Sequence, residues 1–326
     1  MKPVALRLPK GNLKNKREDY NKKREEEKGN ANETFAYYYS IEGEFIGMGS
    51  QDENNQVRLA KKNGKTKTGN DIFTAINLEG KPSKNWVVLH QDYETFKQIL
   101  GTVYTETSAK DYHENEAAGI YSIMKNRSVI VDIEIGPELF IATGIYGWKD
   151  STNSPVKLTT QQIIDGKLGI KDKKYKEVFK GLIKAIVKGI DYSGGATVWQ
   201  GNDFSLKDWK AYKNYYLVGF QFTDTKHDIY NMGNHPNNDY TISGIVDGQK
   251  VDVNLRYRYY STGAAGGTIF MIRSWWSFAD NNENGKPNFP VIQQYYLKNR
   301  NVLTYEEVRN GTDSLVKKYV KGIANF

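Results

Sequence analysis

The stretch Val103–Val129, VYTETSAKDYHENEAAGIYSIMKNRSV, joins the end of one helix to a second helix through a polar loop. Apolar residues at helical spacing upstream of it predict a first helix of about 15 residues that begins near Asp92. Its last turn contains the carboxylic acid Glu106. We expect the second helix from about His113 to Arg127, with its apolar face built from Ala, Ile, Tyr and Met.

The hydrophobic pattern changes along the rest of the chain. Apolar positions three and four apart predict a long helix over 172–190, which ends at a glycine-rich turn. Alternating residues predict a hairpin or small meander over 34–60, and a polar loop follows over 61–70. Period-two runs after residue 219 predict strands over 240–246, 251–260 and 268–278, with a close turn at the GAAGG of 263–267. Further helical segments are expected at 161–164, 206–216 and 304–323. The pattern predicts an α+β fold.

Composition excludes several classes of protein. The chain of 326 residues is 38% hydrophobic and 13% aromatic, which is enough to build a core. It contains no apolar run of transmembrane length, so we expect no membrane span. It has no cysteine, which excludes disulfides, thiolate metal sites and cysteine nucleophiles. The four histidines have no metal-binding spacing and are expected in surface loops, so no metal or other cofactor is predicted. They are His90, His113, His227 and His235.

The charge is unevenly distributed. The net charge is +8, and residues 1–33 contribute half of it with ten basic and six acidic side chains. We expect these residues to form a disordered charged arm. They contain no uninterrupted apolar segment typical of a cleaved signal peptide. A modest positive charge suits a polyanionic partner, but the acids in the arm argue against nucleic acid.

A second polar stretch, DYSGGATVWQGNDF over 191–204, follows the long helix. Adjacent glycines allow positive φ and close approach of a ligand to the backbone. Trp199 and Phe204 offer flat faces suited to sugar rings, and the polar side chains between them offer hydrogen bonds. From the residues alone, each stretch also fits a plain structural interpretation. Glu106 is then a solvated residue at a helix end, and 191–204 is a surface turn.

Taken together and in order, the two stretches resemble bacterial cell-wall hydrolases of the spore-cortex-lytic type. In that family an apolar helix ends in a Glu, a second helix ends in Asn-Arg, and a later helix leads into Asp-x-Thr-x-Gly-Ala-Thr. Here Glu106, Asn126-Arg127 and 191–197 match these positions, with Ser193 where Thr is usual. The resemblance covers roughly residues 92–204. The segment 37–59 also resembles one that precedes toxin or wall-hydrolase domains in Bacteroidetes proteins.

The resemblance implies a lysozyme-like, mainly helical catalytic core at 91–220. A small β element at 34–90 would precede the core, and a Tyr-rich, β-containing section with a terminal helix at 221–326 would follow it. The implied activity is that of a peptidoglycan lytic transglycosylase or muramidase, with Glu106 as the single general acid and base. The possible second carboxylates are Glu114, Glu116, Asp191 and Asp203. The residues expected to line the sugar groove are Ser193, Gly194, Gly195, Thr197, Trp199, Gln200 and Asn202. Tyr121 or Tyr146 would stack on a ring or belong to the core.

Without a signal peptide, the resemblance favours synthesis in the cytoplasm and delivery by a secretion or injection system to the periplasm of a target cell. The expected partners are then peptidoglycan, the secretion machinery and an immunity protein that protects the producing cell. Two other hypotheses stay open. One is a non-catalytic cell-wall-binding or injection-apparatus structural protein, suggested by the Tyr-rich section. The other is a nucleic-acid binder, suggested only by the positive charge.

Overall fold

The computed structural model describes residues 35–50, 55–131, 133–142, 145, 155–164, 167–201, 220–236, 241–246, 249–254 and 259–273. In chain order the strands are β1 Phe35–Tyr39, β2 Phe45–Ser50, β3 Val57–Lys65, β4 Asp71–Ala75, β5 Val87–His90, β6 Val198–Gln200, β7 Phe220–Gln221, β8 Thr241–Val246, β9 Gln249–Asn254, β10 Tyr259–Ala265 and β11 Thr268–Arg273. The helices are α1 Tyr93–Glu106, α2 Glu114–Val131, α3 Pro137–Ala142, α4 Pro155–Ile164 and α5 Lys173–Lys188. The fold class is therefore α+β.

The chain forms two compact units, and each unit is built from separate chain segments. The first comprises Met1–Thr105 and Ile133–Val187, and the second comprises Glu106–Asp132 and Lys188–Phe326. The domain boundaries expected after residues 33, 90 and 220 stay a prediction. The arm at 1–33 and the helices expected at 206–216 and 304–323 lie outside the described residues.

The first unit contains a five-stranded sheet of order β2-β1-β3-β4, with β5 also paired to β3. The strands β1 and β2 form the predicted antiparallel hairpin, and β1 lies parallel to β3. The polar loop expected over 61–70 is wrong in its first half, because β3 continues through Lys65 and pairs with β4. These polar residues can form a strand because their backbone N–H and C=O groups are hydrogen-bonded to β4, and this pairing does not depend on their side chains.

An aromatic cluster forms the core of the first unit. The Tyr39 ring centroid lies 5.5 Å from that of Phe96 on α1 and 5.5 Å from that of Phe179 on α5. The turn between β1 and β2 passes close to α5 at Gly43, whose φ of +91° and proximity to the Phe179 ring leave no room for a side chain. The Tyr175 hydroxyl donates to the Gly43 carbonyl at 2.9 Å. The predicted apolar face of α5 is thereby confirmed as a core face.

In the second unit, α2 packs on a four-stranded sheet of order β6-β11-β10-β7. Gly119 of α2 lies against the ring of Phe270 on β11. The turn predicted at 263–267 is confirmed, since it joins β10 to β11. The described parts of the strand predicted over 251–260 lie in β9, which ends at Asn254, and in β10, which begins at Tyr259, and residues 255–258 lie outside the described residues. Among the described helices, none is long and apolar enough to cross a membrane.

Candidate functional site

The turn that follows α5 folds around the carboxylate of Asp191. Oδ1 of Asp191 accepts hydrogen bonds from the Ser193 amide at 2.8 Å and the Ser193 hydroxyl at 2.6 Å. Oδ2 accepts one from the Gly195 amide at 2.6 Å. The chain can curl in this way because Gly194 and Gly195 adopt φ values of +65° and +81°, a region that side chains disfavour.

Asn126 holds this turn from α2, about seventy residues earlier in the chain. Its Nδ2 group lies 3.2 Å from Asp191 Oδ2 and 3.3 Å from Ser193 Oγ, and it donates to the Ala196 carbonyl at 2.9 Å. Its side chain is only 2% exposed. Asn126 therefore links the C-terminal half of α2 to three points of the turn.

Burial raises the pKa of Asp191, which is 2% exposed, while the hydrogen bonds from Ser193, Asn126 and Gly195 oppose that rise. The donors around it are backbone and side-chain groups of the turn, together with the Asn126 amide of α2. Asp191 is thus the central hydrogen-bond acceptor of the turn, and a role as second carboxylate stays a prediction.

Glu106 and the beginning of β6 meet beside this turn. The indole Nε1 of Trp199 donates to Glu106 Oε2 at 3.0 Å, although the two residues are 93 positions apart. The Arg127 guanidinium lies 4.7 Å from the centre of the Trp199 ring, and its Nε donates to the Thr197 carbonyl at 2.6 Å. The Trp199 indole thus contacts both a carboxylate and a guanidinium. All of these residues belong to the second unit.

The other predicted carboxylates have different surroundings. Glu116 is fully buried in α2, where its Oε1 accepts hydrogen bonds from the Ser108 amide and the Thr268 hydroxyl. Glu114 lies in the first turn of the same helix and is half-buried. Asp203 lies outside the described residues. Glu106 and Glu114 are therefore the described candidates with partial solvent access.

The residues expected to line a sugar groove divide by exposure. The side chains of Ser193 and Thr197 are each 1% exposed, so they contribute to the internal structure of the turn. Gly194, Trp199 and Gln200 are half-buried and can be reached by a ligand. Gly195 is buried, and Asn202 lies outside the described residues. Sugar binding by these residues stays a prediction.

Tyr121 lies in the core of the second unit, which is one of the two positions predicted for it. It is 9% exposed, and burial raises the pKa of its hydroxyl well above the ordinary value. Tyr146, the other ring considered for stacking, lies outside the described residues.

A second polar cluster was not predicted from the sequence. His227 Nδ1 lies 2.8 Å from the hydroxyl oxygen of Ser261, and Thr223 donates from its own hydroxyl to the Ser261 carbonyl at 2.6 Å. His227 is half-buried and lies at the end of a short 3-10 helix. Ser261 is only 1% exposed, and this cluster joins β10 to the short 3-10 helix at Thr225–His227. No sequence signal links residues 34 positions apart in this way.

The part of the chain that the structure describes contains no group of three or more His, Asp or Glu side chains placed to hold a metal ion. Comparison with protein-family models, with curated proteins and with solved structures finds no match.

Proposed function

We propose that this protein cleaves the glycan strands of peptidoglycan at the β-1,4 bond between N-acetylmuramic acid and N-acetylglucosamine. The proposal includes a lysozyme-like core and the role of Glu106 as general acid and base. Its main support is the contact between Glu106 and Trp199. The two stretches that resemble the hydrolase motifs are far apart in sequence, yet the hydrogen bond at 3.0 Å joins them at the carboxylate on which the chemistry would depend.

The chemistry begins with proton transfer from Glu106 to the glycosidic oxygen. The bond to the leaving sugar breaks through an oxocarbenium-like transition state. The Glu106 carboxylate then accepts a proton from the nucleophile. If the nucleophile is the 6-hydroxyl of the muramic acid, the product is a 1,6-anhydro sugar. If it is water, the product is a new reducing end.

Trp199 and Arg127 have supporting roles in this scheme. The indole N–H holds one oxygen of Glu106, which limits the rotation of the carboxylate and sets the direction of proton transfer. The guanidinium lies over the Trp199 ring and its Nε is bound to the Thr197 carbonyl, so the ring is held in place by a cation–π contact. The half-buried ring also offers apolar surface to a sugar.

The test compares wild type with Glu106→Gln on purified sacculi, with the released muropeptides identified by mass spectrometry. The amide oxygen of Gln can still accept the indole N–H, so the fold should be retained. Loss of the proton donor should lower the rate by about 10²- to 10⁴-fold. The ratio of anhydro to reducing products distinguishes the transglycosylase from the muramidase. Comparable release by the two proteins would reject the role of Glu106.

Glu94→Gln is the matched control, since it makes the same substitution at the other end of α1. Glu94 is 66% exposed and pairs with Lys97, so its loss should leave the rate unchanged. If wild type binds sacculi and releases no muropeptides, the protein is instead a non-catalytic wall-binding or structural component of an injection apparatus.

The biological role that we propose is that of an antibacterial effector delivered to the periplasm of a target cell. A producing cell would then need an immunity protein that blocks the site. Affinity purification of the tagged protein from its native host should recover such a partner. Recovery with wild type and loss with a Trp199→Ala variant would place the partner at the proposed groove.

A further inference from the structure

The first unit carries a protruding, positively charged ribbon formed by residues 61–75, which we call the lysine ribbon. The first four residues of β3 are buried and its last five are exposed, so the strand, still paired with β4, extends from the buried part of the sheet into solvent. All ten residues of the connecting segment 61–70 are exposed. Their sequence is KKNGKTKTGN.

The ribbon is ordered by its own hydrogen bonds. At its tip the Thr66 amide donates to the Asn70 carbonyl at 2.7 Å, and the Gly69 amide donates to the Thr66 carbonyl at 3.0 Å. In the backbone register of β3 and β4, Lys61 lies opposite Thr74 and Lys65 lies opposite Asp71. The backbone therefore presents the lysines in a fixed arrangement, which lowers the entropy cost of binding.

The positive charge is local. Residues 57–90 contain seven Lys or Arg and two Asp or Glu, a net charge of +5, whereas residues 34–56 have a net charge of −4. Lys62 pairs with Asp71 at 2.7 Å. In the described part of the chain, no carboxylate pairs with Lys61, Lys65 or Lys67. An exposed cluster of unpaired lysines attracts polyanions.

The residue types of the ribbon narrow the choice of polyanion. The segment 61–70 contains no aromatic side chain on which bases could stack and no Arg for bidentate recognition of guanine. It contains no apolar side chain that could enter a lipid surface, and in the rest of the ribbon Ile72, at 41% exposure, is the single exposed large apolar side chain. It offers ammonium groups together with Thr hydroxyls and Asn amides, which suit carboxylates and sugar hydroxyls in water.

We propose that the lysine ribbon is a binding site for carboxylate-bearing peptidoglycan, used for attachment and distinct from the proposed catalytic site at Glu106. The choice of peptidoglycan as the polyanion rests on the proposed function, whereas the site itself rests on the geometry and charge of the ribbon.

The test measures retention of the full chain on purified sacculi, in a Glu106→Gln background so that the wall stays intact. Lys61, Lys65 and Lys67 are replaced together by Gln. Each exposed ion pair changes an equilibrium by about twofold, so retention at 10 mM NaCl should weaken by about eightfold. The difference should shrink at 150 mM NaCl, where charges are screened within about 8 Å.

The control replaces Lys171, Lys173 and Lys188, which are also exposed, by Gln. It removes the same net charge outside the ribbon and should retain binding within about twofold. If retention on sacculi weakens equally in both triple variants, or weakens in neither, the proposed binding site is overturned. Sacculi whose carboxylates have been converted to neutral amides should lose the lysine-dependent part of the binding, and unchanged retention would overturn the carboxylate assignment.

Duplex DNA and vesicles of anionic phospholipid are measured in parallel. If the ribbon lysines support tighter binding to DNA or to the vesicles than to sacculi, peptidoglycan is not the partner. Failure of the two proposals is distinguishable. Lysine-dependent retention without muropeptide release by wild type rejects the enzyme and keeps the attachment site, whereas release without lysine-dependent retention rejects the attachment site alone.

Discussion

The turn at Asp191 offers a direct test of how the candidate site is held together, through the substitution Asp191→Ala. The carboxylate accepts from two backbone amides, those of Ser193 and Gly195, at 2.8 Å and 2.6 Å. The Ser193 hydroxyl and the Asn126 amide can rotate toward other acceptors, but the two backbone N–H groups cannot. A buried N–H group left without an acceptor costs about 2 kcal/mol, so the variant should lose about 4 kcal/mol in free energy of unfolding.

Urea denaturation followed by circular dichroism measures this loss, which corresponds to a fall in Tm of about 12 °C for a unit of this size. Hydrogen exchange of the Ser193 and Gly195 amides should be slow in wild type and fast in the variant. Asp111→Ala is the matched control, because Asp111 is exposed in the same unit and its loss should change stability by less than about 0.5 kcal/mol. A loss below about 1 kcal/mol in Asp191→Ala, with both amides still protected, would refute the reasoning.

Three further predictions concern the same unit. Burial raises the pKa of Asp191, so the folded protein holds that proton to higher pH than the unfolded chain, whose Asp titrates near about 3.9. The stability advantage of wild type over Asp191→Ala should be largest below that pH and should fall as the pH rises through the folded-state pKa. Urea titrations from pH 3.5 to 6.5 test this, and an advantage that grows with pH would contradict it. Trp199→Phe keeps an aromatic ring and removes the indole N–H that donates to Glu106, so sacculus cleavage should fall about tenfold with little change in Tm. An unchanged rate would show that this hydrogen bond does not orient the carboxylate. Gly119→Ala places a methyl group against the Phe270 ring. Overpacking should outweigh the gain in helix propensity, so the free energy of unfolding should fall by about 1–2 kcal/mol. A raised Tm would show that the ring moves aside.

Local patterns predicted α1 and α5 well, whereas α3 was not predicted and α4 was expected only over 161–164. The first helix was expected from Asp92 and begins at Tyr93, and the helix expected over 172–190 spans Lys173–Lys188. These predictions succeed because an amphipathic helix repeats its apolar residues every three to four positions, a signal contained within the segment itself. The turn between β10 and β11 was equally local, since glycines at 263–267 interrupt two period-two runs.

The lysine ribbon shows where local patterns fail. Residues 61–65 have the polar, charged composition of a loop, yet they extend β3 because β4 supplies the partner for their backbone groups. Side-chain composition contains little information about such pairing, particularly where both faces are exposed. The parallel pairing of β1 with β3 was also beyond prediction, since the partner is chosen by the fold of the whole sheet.

In the candidate site, the sequence identified the residues and the structure decided their positions. Glu106 and the turn at 191–197 stand out because a carboxylic acid ends an apolar helix and adjacent glycines follow another. The contact between Glu106 and Trp199, and the burial of Ser193 and Thr197 inside the turn, could not be predicted. They depend on side chains tens of residues apart that meet only when α2 packs on its sheet, and long-range packing leaves no periodic trace in the chain.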